Sequence, residues 1–415
     1  MALSNQPPKG TSDWFPEELK IRQYIFNAWR RVCLRYGYEE YLTPLVESAE
    51  IYRAKSGEDV GGKELVTFTD LGGRELSIRP EMTPSVTRMV SQIYEAVPKP
   101  IRYFSIANFM RNEKPQRGRN REFWQLNCDI FGSNSINADT EILQIALDIM
   151  LELGAPKNSF KLKVSSRAIL QELFSTLKIS EKQATQVART LDKWQKLSQS
   201  AVNESLTKVG LNKEQIKSLS AFMSNQKLAN TPASIDIQSI LQTLKDLGYG
   251  AYVEYDPTII RGFDYYDGMV FELVDTHKDN NRALFGGGRY NGLANLFGAK
   301  TFPAVGFAPG DETTRLFLES WGLTKKIKET NKDIYYLPLL DKTLSKVNAK
   351  LAKALRAQGL EVVAGLEEQK INKALDYANK KGFTRVVIFG SEESKKHIYK
   401  IKDMLSGKEK NISFK

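Results

Sequence analysis

A chain of 415 residues, 41% hydrophobic and 26% charged, is long enough for two or three domains with proper cores, and its composition excludes disorder as a default. Two cysteines, Cys33 and Cys128, exclude a disulfide framework or a cysteine-built zinc site; with no apolar signal in MALSNQPPKGTSDWF and no run of about 18 apolar residues, a cytoplasmic protein without a membrane partner is expected. The net charge of +11 is unevenly placed, because Thr324–Lys415 holds 21 basic against 11 acidic residues, a pattern that suits a polyanion partner or a solvated lysine-rich surface.

In chain order, Pro16 to about Tyr36 reads as a helix, with Ile21, Ile25, Ala28 and Val32 at helical spacing and Gly37 as its stop. Glu39–Glu47 is a strand candidate whose Pro44 points to an edge or an interface. Leu65–Arg79 reads as a hairpin turning at Gly72-Gly73. Strands at Arg102–Asn112 and Glu122–Phe131 flank RNEKPQRGRNR, a mobile basic loop, as in an antiparallel sheet. After an amphipathic helix near Asp139–Leu153, the polar, helical stretch Ser166–Leu247 reads as an inserted subdomain. Strand character returns at Ala251–Glu254 and Met269–Val274, ahead of Gly286-Gly287-Gly288. From Ile334 onward strand and helix alternate: Ile334–Leu339, Thr343–Gln358, Glu361–Ala364, Gln369–Lys381, Arg385–Phe389. That alternation predicts a small α/β domain with a largely parallel sheet. The expected organisation is a core over 1–165 and 249–323, an insertion over 166–248 and a last domain over 330–415.

Chemistry concentrates on Glu122–Phe131. Period two puts Gln125, Asn127 and Asp129 on one face and Trp124, Leu126, Cys128 and Ile130 on the other. Buried polar groups need partners, so the polar face lines a ligand pocket unless it is solvated. On the preceding strand Arg111 shares a face with Tyr103 and Glu113, where a guanidinium could brace a phosphate or carboxylate or form a structural ion pair. The glycine cluster lacks the Lys-Ser/Thr ending of a phosphate loop and reads instead as close backbone approach. His277 and His397 lie apart in polar surroundings; no metal-ligating residues are expected.

Taken in order, several motifs resemble the histidyl-tRNA synthetase family of class II aminoacyl-tRNA synthetases. They are Pro8-Lys9-Gly10-Thr11-Ser12-Asp13, the stretch around Pro44, Arg79-Pro80-Glu81-Met82-Thr83, and Arg111 to Arg119 followed by Glu122-Phe123-Trp124-Gln125. Arg261-Gly262-Phe263-Asp264-Tyr265-Tyr266 and Gly286-Gly287-Gly288-Arg289-Tyr290 are similar to signatures peculiar to the histidine enzymes. The resemblance implies an α+β fold: a class II antiparallel core flanked by helices, a helical insertion and a C-terminal α/β anticodon-binding domain. It implies ATP as substrate with Mg²⁺, histidine, tRNA(His) held at acceptor end and anticodon, and a homodimer joined near Pro44.

Residue roles follow from the same resemblance. Arg111 and Arg261 would be the catalytic cations at the α-phosphate. Glu81 and Thr83 would hold the α-amino group of histidine, and Gln125, Asp129, Tyr265 and Tyr266 would line its side chain. Glu113 would meet adenine, and Arg117, Arg119 and Arg121 the acceptor end. Three positions depart from the family pattern: Asp129 stands where glutamate is usual, Asn291 where aspartate is common, and Thr313 where an ATP-binding arginine falls. Arg315, two positions on and about 200° around a helix, is the nearest substitute. The competing readings are a non-catalytic paralogue serving as regulatory subunit of ATP phosphoribosyltransferase in histidine biosynthesis, and a simple nucleic-acid-binding module. Regulatory paralogues usually lose the Arg261 motif and the last domain, both of which are whole here.

Overall fold

The computed structural model describes residues 3–54, 59–260, 266–280, 283–328 and 333–413. The chain divides into two compact units, Met1–Lys325 and Lys326–Lys415.

The first unit opens with α1 (Pro16–Arg35), whose Glu17 and Glu18 sit at the positive end of the helix dipole and whose apolar stripe buries Ile21, Ile25, Ala28, Trp29 and Val32. Two short strands follow, β1 (Glu39–Glu40) and β2 (Val46–Ser48), where one strand was expected. Pro44 lies between them and cannot donate to a ladder, and the chain changes sheet there. After a short helix α2 (Ala49–Arg53), the hairpin β3 (Val66–Thr69) and β4 (Glu75–Ile78) pairs with β2 in a three-stranded sheet. Then come α3 (Thr83–Ile93), β5 (Ile101–Met110), β6 (Glu122–Phe131), α4 (Ile136–Glu152) and β7 (Phe160–Ser166).

Five helices interrupt the sheet: α5 (Arg167–Thr176), α6 (Glu181–Leu191), α7 (Gln199–Lys208), α8 (Lys213–Ser224) and α9 (Ile235–Leu244). The first four enclose a core of their own, with Leu170, Phe174, Val187, Leu191, Leu206 and Leu219 buried together. The last, apolar along Ile237, Ile240 and Leu244, packs on α4 instead, so it belongs to the layer over the sheet. The sheet resumes with β8 (Val253–Tyr255), β9 (Met269–Asp275), β10 (Ala283–Arg289) and β11 (Ala304–Phe307), and α10 (Asp311–Ser320) and α11 (Thr324–Lys328) follow. Its order is β1-β5-β6-β11-β10-β9-β7-β8, antiparallel except for the β1–β5 and β7–β8 pairs at its two ends. Helices α1, α4 and α10 cover the face that carries Leu126, Cys128 and Ile130.

The second unit contains β12 (Ile334–Leu339), α12 (Ser345–Ala357), β13 (Glu361–Glu368), α13 (Ile371–Lys381), β14 (Arg385–Ile388), α14 (Ser391–Lys395), β15 (Ile398–Asp403) and β16 (Glu409–Ser413). Its sheet runs β13-β12-β14-β15-β16. The first three strands are parallel as expected, whereas the last two add an antiparallel hairpin. That hairpin is lysine-rich and lacks an apolar run, and ion pairs support it: Lys400 to Glu393 at 2.9 Å and Lys402 to Glu409 at 3.1 Å. No helix among the described residues is long and apolar enough to cross a membrane.

Candidate active site

The β5–β6 register sets Tyr103 opposite Asp129, Ser105 opposite Asn127, Ala107 opposite Gln125 and Phe109 opposite Phe123. Directly opposed residues share a face. Tyr103, Ser105, Gln125, Asn127 and Asp129 therefore form a polar row on the side of the sheet away from α1 and α4, bordered by the apolar pairs Phe109–Phe123 and Ile101–Phe131. Asp129 is 2% exposed. The Tyr290 hydroxyl donates to its Oδ1 at 2.5 Å, while Oδ2 has no hydrogen-bond partner among the described residues. Burial pushes this carboxyl up to about 7, and the Tyr290 hydrogen bond only partly opposes it.

Three more buried atoms beside this row lack partners among the described residues: Ser105 Oγ on β5, Asn127 Oδ1 on β6 and Tyr41 Oη just past β1. The Tyr41 ring lies 5.8 Å from that of Tyr103, and burial, with the Asp129 charge behind it, holds its hydroxyl well above the usual range. An unmade buried hydrogen bond costs about 1–3 kcal/mol. A cluster of them on one face is the mark of a surface shaped for a ligand rich in polar groups. Tyr41 and Ser105 were not singled out from sequence, and Tyr290 stood there only as the end of the glycine motif, with no role given to its hydroxyl. Period two on β5 could have found Ser105, but Tyr41 and Tyr290 reach the row from just beyond the ends of β1 and β10.

The floor beside Asp129 is glycine. Gly306 pairs with Asp129 on one side and with Gly288 on the other. A methyl on Gly306 would overlap the Asp129 carboxylate, and one on Gly288 would come within 3.0 Å of the Tyr266 ring. The glycine cluster thus admits close approach of neighbouring strands and of Tyr266, which stands over the sheet on the Asp129 face. Gln125 donates to the Ala308 carbonyl at 3.3 Å.

At the end of β5, Arg111 Nε donates to the Pro80 carbonyl at 3.0 Å and its guanidinium lies 5.1 Å from the centre of the Phe123 ring. Buried Arg79 fixes the same segment by donating to the carbonyls of Thr43 at 2.8 Å and Asn108 at 2.9 Å. Glu81 and Thr83 follow directly, with Thr83 opening α3. Arg111, Glu81 and Thr83 are therefore held by one strapped segment.

The basic loop closes as a hairpin in which Gln116 and Arg119 exchange backbone hydrogen bonds of 3.0 and 2.9 Å, with Gly118 at φ 80°. Arg117 lies in this turn. Arg119 is 3.6 Å from the Glu113 carboxylate, and Arg121 Nε donates to the Glu113 carbonyl at 3.2 Å. The backbone N–H of Arg121 donates to the Gly10 carbonyl at 2.8 Å, so the Pro8–Asp13 stretch crosses the base of the loop.

Beside the hairpin is a cavity of about 730 Å³, lined among others by Arg119, Trp194, Gln195, Thr258, Glu272 and Thr313. Thr313 faces it; Arg315 does not. Arg315 is ion-paired with Glu312 at 2.6 Å and with Glu319, while Glu312 also meets Arg22 of α1 at 3.0 Å. The acidic groups of α10 hold that guanidinium on the α1 side of the helix. Arg261 and Tyr265 lie outside the described residues.

An antiparallel sheet with one helix-covered face and a polar row on the other, bordered by an arginine-rich hairpin, is the core of a class II aminoacyl-tRNA synthetase. Residues 10–310 match the family model described as Histidyl-tRNA synthetase, and residues 330–415 the one described as Anticodon binding domain. A histidine–tRNA ligase of Leptospira biflexa is 40% identical, covering 99% of this chain and 96% of its own length. That of Pyrococcus horikoshii is 35% identical over 98% and 96%. The crystal structure of histidyl-tRNA synthetase from a Nostoc species superposes with a TM-score of 0.80 at 21% identity, covering 99% of this chain and 97% of that one. The chain belongs to the histidyl-tRNA synthetase family.

Proposed function

We propose that this chain ligates histidine to its cognate tRNA in two steps, with ATP as the energy source. A carboxylate oxygen of histidine attacks the α-phosphorus of ATP, the bond to the β-phosphate breaks, and pyrophosphate leaves histidyl-adenylate behind. A hydroxyl of the terminal tRNA ribose then attacks the carbonyl carbon, and AMP leaves. The observation that carries the reading is the buried Asp129 carboxylate, held on one oxygen by Tyr290 and without a hydrogen-bond partner among the described residues on the other. An imidazole N–H fits that open oxygen, and an apolar side chain would leave it unpaired.

Around it, Gln125, Tyr265 and Tyr266 line the imidazole, and Glu81 and Thr83 take the α-amino group. Arg111, pre-set by Pro80 and Phe123, and Arg261 supply fixed positive charge where it builds on the α-phosphate. Glu113 meets the adenine side. Arg117, Arg119 and Arg121 meet the acceptor end, and the basic second unit takes the anticodon. No group of three His, Cys, Asp or Glu among the described residues is placed to hold a metal ion. Mg²⁺ would be carried by ATP phosphate oxygens and would neutralise charge there. The reading includes a cytoplasmic homodimer joined near Pro44, where Leu42 and Leu45 are exposed.

Amino-acid-dependent ATP–pyrophosphate exchange, run with each of the twenty amino acids, tests the first step. Exchange with histidine alone is expected. Exchange with another amino acid would overturn the pocket assignment, and none from folded protein with Mg²⁺ would favour the regulatory paralogue.

A further inference from the structure

The segment 256–260 runs directly into Arg261 and spans two bodies of the first unit. At its start Asp256, 2% exposed, is fixed to the sheet: Lys163 of β7 donates to its Oδ2 at 2.7 Å, and its own N–H donates to the Val164 carbonyl at 3.1 Å. At its end Ile260 is buried in the core of the helical insertion, together with Leu170, Phe174 and Leu191. Midway, the Thr258 hydroxyl donates to Asp256 Oδ1 at 2.6 Å and accepts from Gln195 Nε2 at 2.9 Å. Gln195 belongs to the turn that follows α6, and this turn lines the 730 Å³ cavity that Arg119 also lines.

We propose that Gln195 is a positioning residue: through Thr258, Asp256 and Lys163 it ties the helical insertion to the segment that precedes Arg261 in the chain, and so sets the geometry of histidine activation. The proposal rests on the role given to Arg261 above. A side-chain hydrogen bond at an exposed position adds little to global stability. A small displacement of a group that must meet a developing charge, by contrast, lowers the rate of the chemical step. The bond is thus read in kcat rather than in folding. It also gives the insertion a task distinct from touching RNA, because activation precedes transfer.

The test uses the full chain without tRNA and compares Gln195→Ala, Thr258→Val, the double variant and Thr258→Ser in histidine-dependent ATP–pyrophosphate exchange. Gln195→Ala and Thr258→Val are each expected to lower kcat about three- to tenfold, with the histidine KM unchanged. The double variant should be no worse than the poorer single one, and Thr258→Ser, which keeps the hydroxyl, should match the parent. Unchanged kcat in both single variants, or losses that multiply in the double, would overturn the coupling. Hydrogen exchange of residues 256–260 reads the same tie without activity: it should quicken in Gln195→Ala, and unchanged protection would also overturn the proposal. A parent protein with no histidine-dependent exchange would instead indict the functional reading and leave the hydrogen-exchange comparison to decide the coupling.

Discussion

Asp129 joins the chemistry of the site to its pH dependence. Its carboxyl stands near 7 because burial penalises the charge and a single hydroxyl only partly repays it. A partner that donates to the open oxygen favours the ionised form, so histidine should bind more tightly as pH rises through about 7 and Asp129 loses its proton. Titration calorimetry is expected to show Asp129→Asn weakening histidine by about 1.5–3 kcal/mol, the worth of a hydrogen bond to a charged group. The variant should also lose the rise near pH 7, keeping only the titration of the ligand's own imidazole at about 6.5. Stability carries the opposite sign. With its folded pKa above the ordinary carboxylate value of about 3.9, Asp129 keeps a proton in the folded state that the unfolded chain has already released. Without histidine, stability should therefore fall as pH rises from about 4 to 7, and Asp129→Asn should flatten that part of the denaturation profile. Period two alone exposed Gln125, Asn127 and Asp129 in the sequence, since strand alternation is local. The approach of Tyr41 and of Tyr290, known there only as the end of the glycine motif, to Asp129 was hidden because it depends on which strands become neighbours.

At the scale of elements, α10 shows how one substitution redistributes charge. Arg22 of α1 is buried with Asp311 and Glu312, and Glu312 in turn holds Arg315. Removing Arg22 would leave the fully buried Asp311 without its countercharge, a change that costs about 3–5 kcal/mol. Arg22→Met should lower the thermal midpoint accordingly, and an unchanged midpoint in calorimetry would contradict this role. Helix spacing placed Arg315 far around the axis from Thr313, and the ion pairs with Glu312 and Glu319 account for where it stays. Elements with strong local signals, α1 and β6 among them, could be read almost to the residue. Those set by tertiary context could not. Pro44 divides a presumed single strand between two sheets, α9 leaves the insertion to cover α4, and β15–β16 forms from a lysine-rich stretch that sets Tyr399, Ile401 and Ile412 against the core.

On the scale of the whole molecule, charge and chemistry are segregated. The first unit carries the described site residues, and the second carries most of the net positive charge together with a sheet and core of its own. A chain ended after Lys325 should keep histidine-dependent exchange but charge tRNA at least about tenfold less efficiently at moderate salt, because the phosphate contacts that dominate RNA affinity go with the second unit. Equal charging by the shortened chain would contradict the division of labour. The most direct test of the account is to charge unfractionated tRNA with labelled histidine and ATP, then identify the RNA that carries the label. Histidyl ester is expected on the tRNA that reads histidine codons and on no other. Label on a different tRNA, or histidine-dependent exchange with no charged tRNA at all, would contradict it.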